Sequence, residues 1–62
     1  MNNIKRYRIE KGMTLEKLSD ITGLSAGYLC HLEVGRRNNP TMQTMIKISN
    51  ALDKSVDNLF FE

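Results

Sequence analysis

Apolar positions recur along this chain at three- and four-residue spacing, and no stretch sustains the two-residue alternation of a half-buried strand. The pattern predicts helices throughout, five in all. The first covers about residues 3 to 11, with Ile4 and Tyr7 one turn apart and Gly12 standing where a helix end favours a left-handed residue. Thr14 is a good N-cap for the second, which carries Leu15, Leu18 and Ile21 on one face and stops at Gly23. Lys17 occupies the place of the Glu in a capping box, so that cap is only half complete. Ser25 caps the third helix, where Leu29 and Leu32 lie one turn apart and Gly35 marks the stop.

After the polar stretch "GRRNNP", Thr41 caps a fourth helix whose Met42, Met45, Ile46, Ile48, Ala51 and Leu52 nearly surround the axis. A helix apolar on so many sides is expected at the centre of the core. Asp53 follows it, and Asp tolerates the left-handed conformation moderately well. Ser55 starts a short fifth helix in which Val56, Leu59 and Phe60 or Phe61 would form a lid. Met13, Met42 and Met45 fall on core-facing stripes and read as adaptable packing rather than as a cofactor box.

With 62 residues, 40% hydrophobic and 26% charged, the chain has the make-up of one small folded domain, residues 1–62, without linker or repeat. Its net charge of +2 says little about partners, but the distribution says more. Basic residues exceed acidic ones by three within residues 1–37, and the remainder carries none of that surplus. The lone cysteine, Cys30, forbids an internal disulfide, and no Cys/His cluster has metal-ligand spacing. No apolar run reaches membrane-spanning length and no signal peptide is evident, which reads as a cytoplasmic protein. Nothing looks catalytic: the single histidine, His31, has no nucleophile at a telling spacing, and no cofactor is implied.

Two short helices joined by a tight glycine-containing turn form a helix-turn-helix unit, whose second helix enters the major groove of DNA. Gly23 suits the turn because positive φ costs glycine nothing, and Leu24 would reach inward to lock the helices together. At the helical period of about 100° per residue, turning Leu29 and Leu32 inward points Gly27, Cys30, His31 and Val34 away, with Ala26 and Tyr28 on the flanks. From Arg8 to Phe60, "RIEKGMTLEKLSDITGLSAGYLCHLEVGRRNNPTMQTMIKISNALDKSVDNLF" resembles the phage repressor and Cro-like (Cro/C1-type) helix-turn-helix regulators. The resemblance implies an all-α, five-helix, lambda-repressor-like domain that binds double-stranded DNA. It further implies an ion pair between Arg8 and Glu33 tying the first helix to the reading helix.

Base-reading positions of that family fall on Ala26, Gly27 and His31, with Tyr28 nearer the phosphates. Backbone contacts fall on Thr14, Ser25, Arg36, Arg37, Asn38, Asn39 and Thr41, whereas Leu15 stands where the family often has a polar Gln. Ala26 and Gly27 offer no side-chain hydrogen bond, so direct readout would rest on His31, Tyr28 and neighbours, with DNA shape supplying the rest. The implied function is a transcriptional regulator, a repressor acting as a homodimer on an inverted repeat in the cytoplasm of a bacterium or of a phage host. Val56, Phe60 and Phe61 are candidates for the dimer contact. The bare Ala26 and Gly27 and the apolar "NLFF" end also suit another class, a protein-interaction module such as an antagonist, an assembly subunit or an antitoxin.

Overall fold

Thr14, Ser25, Thr41 and Ser55 each place a side-chain oxygen 3.0 to 3.1 Å from the backbone N–H three residues on, which donates to it. Each oxygen satisfies one of the N–H groups that a helix start leaves without a partner. In this computed structural model, which describes residues 2–61, the helices are α1 (Ile4–Glu10), α2 (Leu15–Thr22), α3 (Ala26–Glu33), α4 (Met42–Leu52) and α5 (Val56–Phe60). Met1 and Glu62 lie outside the described residues. The helix starts agree with the sequence pattern because a cap acts within three residues of itself.

One core draws on all five helices: Ile4, Leu18, Leu29, Leu32, Ile48, Leu52 and Leu59 are at most 1% exposed. Full burial of each contributes roughly 1.5 to 3 kcal/mol, well above what the exposed Arg6–Glu10 pair on α1 can add. Leu24 packs against this core, as do Met13, Leu15, Tyr28 and Phe60. Asp53 ends α4 with φ 58°, the left-handed conformation expected of it.

Four apolar side chains depart from the sequence pattern. Ile21, Met42 and Ile46, expected on buried faces, are about half exposed, and Phe61 is 66% exposed, so Phe60 alone joins Leu59 in the lid. The reason is that, among the described residues, no helix packs over these side chains. Thr22, rather than Ile21, turns inward at the end of α2. Its hydroxyl donates to the Leu18 carbonyl at 2.8 Å and accepts the Leu24 N–H at 3.2 Å, so the buried oxygen has its partners. Among the described residues, no helix is long and apolar enough to cross a membrane.

Candidate nucleic-acid interface

The turn between α2 and α3 is built from a glycine and two hydroxyls. Gly23 takes φ 76°, a conformation that strains any residue with a Cβ, and the Ser19 hydroxyl donates to the Leu24 carbonyl at 2.6 Å. With Thr22 also binding Leu24, the turn is closed from both sides and the angle between α2 and α3 is set. Leu29 and Leu32, both fully buried, then fix which way α3 faces.

The far end of α3 is held by α1 and the N-terminus. Arg8 Nε and a terminal nitrogen donate to the two Glu33 carboxylate oxygens at 2.7 and 3.2 Å, a bidentate pair, while its other terminal nitrogen donates to the Met13 carbonyl at 2.7 Å. The Arg8 side chain is 12% exposed and that of Glu33 is 3% exposed. A carboxylate in the last turn of a helix opposes the helix dipole, so the position of Glu33 is explained by Arg8 rather than by α3. Asn2 adds a further tie: its side-chain N–H donates to the Leu32 carbonyl at 2.8 Å. That carbonyl belongs to the last turn of α3, where acceptors have no partner further along the helix, and it also accepts the Gly35 N–H at 3.3 Å. Asn2 was not singled out in the sequence, because its partner lies 30 positions away and asparagine near a terminus is common.

Held at both ends, α3 presents Gly27, His31 and Val34 exposed, with Ala26, Tyr28 and Cys30 half-buried around them. Thr14 and Ser25, the residues that open α2 and α3, are also exposed. Arg36, Arg37, Asn38, Asn39 and Thr41 are exposed in the segment that follows. Both Arg36 and Arg37 donate their backbone N–H to the His31 carbonyl, at 2.8 and 3.3 Å, so the segment starts from a fixed point on α3. The Arg37 guanidinium lies 5.5 Å from the centre of the Tyr28 ring. Val56 is half-buried at the start of α5, away from α3 in sequence. No cluster of His, Cys, Asp and Glu able to hold a metal ion occurs among the described residues.

A methyl group built on Gly27 meets nothing within 4 Å, so packing within the chain does not require glycine there. Gly27→Ala is expected to stabilise the fold by up to about 1 kcal/mol. The measurement is urea unfolding: the midpoint should rise with an unchanged m value, and a lower midpoint would contradict an open surface at this position.

Residues 4–59 match the model of a protein family described as helix-turn-helix. The chain belongs to the helix-turn-helix family. Within it, the likeness is to Cro/C1-type regulators. The HTH-type transcriptional regulator SinR of Bacillus subtilis is 41% identical over 59 residues, which cover 95% of this chain and 53% of SinR. An uncharacterised HTH-type transcriptional regulator of Sinorhizobium fredii is 44% identical over 54 residues, covering 87% of this chain and 69% of that protein. The solution structure of the N-terminal DNA-binding domain of SinR, the master biofilm regulator of B. subtilis, superposes with a TM-score of 0.83 at 40% identity. That match covers 97% of this chain and 87% of the SinR domain. Against full-length SinR, the chain spans about half the length.

Proposed function

We propose that this chain is a sequence-specific DNA-binding transcriptional regulator, a repressor that lays α3 in the major groove and acts as a homodimer on an inverted repeat in the cytoplasm. The observation that carries the reading is the rigid presentation of α3. Gly23, Ser19 and Thr22 close its entry, Arg8 and Asn2 hold its exit, and its outer face is left uncovered. The likeness to the DNA-binding domain of SinR supports it.

In this reading Ala26, Gly27 and His31 face the bases and Tyr28 reaches toward the phosphates. Thr14, Ser25, Arg36, Arg37, Asn38, Asn39 and Thr41 hold the backbone. The bare surface at Gly27 lets the helix backbone approach the groove floor, where a longer side chain would stand between them. His31 supplies hydrogen-bonding capacity for base edges, and Ala26 suits a thymine methyl. One reading helix spans only a few base pairs, so a two-fold dimer with half-sites one helical turn apart supplies the remaining specificity.

The dimer contact assigned to Val56, Phe60 and Phe61 draws support from the surface beside α5. A groove of about 570 Å³ there takes in Phe60 and Phe61 but not Val56; its apolar wall is completed by Val34, Pro40 and Met45, and Asn2, Arg37, Asn38 and Asn39 line its polar side. Phe61 is the most exposed of these apolar side chains, and Val34 is also more than half exposed. The exposed Phe61 and Val34 side chains also favour the second reading, a module that pairs with another protein.

Selection from a random duplex library, followed by binding at two salt concentrations, separates the two. Enrichment of an inverted repeat with half-site centres about 10 bp apart, bound with a steep salt slope, is the expected result. Absence of any enriched sequence, with binding confined to low salt, would sink the operator reading and favour a protein partner.

A further inference from the structure

Among the basic side chains assigned to the DNA backbone, Arg37 has a position that its neighbour Arg36 is not seen to share. Both donate their backbone N–H to the His31 carbonyl, but the Arg37 guanidinium also lies over the Tyr28 ring, 5.5 Å from its centre. Tyr28 is itself fixed: it is half-buried against the core, and its N–H donates to the Ser25 hydroxyl at 3.1 Å. Two turns of structure thus converge on one cation. A guanidinium stacked by its face on an aromatic ring keeps its N–H donors at the edge, where they remain free to bind phosphate.

We propose that Tyr28 is a positioning residue for Arg37, stacking the guanidinium beside the N-terminal end of α3 so that it meets a DNA phosphate already oriented. The proposal deepens the DNA-binding reading above and rests on it. An unstacked arginine loses side-chain freedom when it binds, and one already held against a ring loses less. The benefit lies in order rather than in charge, so it leaves a particular signature. Replacing Tyr28 alters affinity without altering the number of counterions released, whereas removing Arg37 alters both.

The experiment measures binding of the chain to mixed-sequence duplex DNA over a range of salt for the parent, Tyr28→Phe, Tyr28→Leu, Arg37→Ala and the Tyr28→Leu/Arg37→Ala pair. Tyr28→Leu is expected to weaken binding about two- to fivefold with the salt slope unchanged, and to have a smaller effect once Arg37 is gone. Tyr28→Phe keeps the ring and gives up only the hydroxyl's own reach toward a phosphate, so it should bind more tightly than Tyr28→Leu and still couple to Arg37→Ala. Arg37→Ala should lower the slope by about 0.9 for each bound protomer. Effects of Tyr28→Leu and Arg37→Ala that multiply, or a Tyr28→Phe variant as weak as Tyr28→Leu, would overturn the positioning role.

If the parent binds no duplex, the DNA reading itself falls and this inference with it. Proton NMR of the free chain tests the stack without DNA and without a destabilised variant. The Arg37 δ-methylene and Nε–H resonances should be shifted upfield by the ring in the parent and in Tyr28→Phe. Random-coil positions for these resonances in the parent would end the proposal.

Discussion

Arg8→Ala is expected to lower unfolding stability by roughly 3 to 5 kcal/mol, the cost of leaving a buried charge without its partner. The carboxylate left behind, Glu33, is 3% exposed and sits at the end of a helix anchored by Leu29 and Leu32, so it cannot turn out to water without moving α3. Loss of Arg8 also strips the Met13 carbonyl of a hydrogen bond. Glu33→Ala should cost less, because the long arginine stem already reaches the surface at 12% exposure and can carry its charge outward. A core of this size rarely supplies more than about 3 to 5 kcal/mol in total. The Arg8→Ala chain is therefore expected to be largely unfolded in the absence of a ligand.

Urea unfolding followed by far-UV circular dichroism reads both variants. A cost below about 1 kcal/mol for Arg8→Ala would mean that the pair behaves as an ordinary surface bridge. The double replacement Arg8→Met/Glu33→Leu separates charge from packing. It removes the unpaired carboxylate and refills the volume, so it should recover much of the loss. Full recovery is not expected, because Met13 still lacks a donor.

That pair also marks a boundary of what the sequence discloses. Charge and spacing permit an interaction between residues 8 and 33, but only the resemblance to Cro/C1-type regulators implied it. Elements governed by neighbours were legible. The hydroxyl caps at Thr14, Ser25, Thr41 and Ser55 act over three residues, and the left-handed positions at Gly23 and Asp53 follow from single-residue preferences. The buried members of each stripe, from Ile4 to Leu59, were legible for the same reason.

Periodicity failed where it had no means of counting partners. Ile21, Met42 and Ile46 recur at helical spacing as buried residues do, yet among the described residues each is left about half exposed. The pattern of a helix records which positions are apolar, not how many faces the fold covers. Contacts between distant segments were invisible for a different reason. The tie from Asn2 to Leu32, that from Asn3 to Asn58 at 2.9 Å and the approach of the Arg37 guanidinium to the Tyr28 ring depend on the finished fold. Residue types could thus be placed on α3 from the sequence, while the devices holding α3 and the position of Arg37 over Tyr28 required the structure.

Replacing Arg36 and Arg37 together with alanine is expected to weaken duplex binding by roughly 60-fold per bound protomer at about 0.1 M salt, and to lower the salt slope by about 1.8. Both side chains are exposed, so the fold should survive the change with little loss. The magnitude follows from counterion release: each phosphate contact contributes about 0.9 to the slope. A dimer on an inverted repeat places two copies of each arginine on the duplex, so the slope should fall by about 3.6 rather than 1.8. The same titration therefore counts protomers. Arg36→Lys/Arg37→Lys provides the control, because it keeps the charges, and hence the slope, while giving up the planar fork and its stacking on Tyr28. A slope left unchanged by the alanine pair would remove these residues from the DNA backbone. Undiminished binding to a protein partner would then favour the interaction-module reading, since that reading does not draw on the charges of residues 36 and 37.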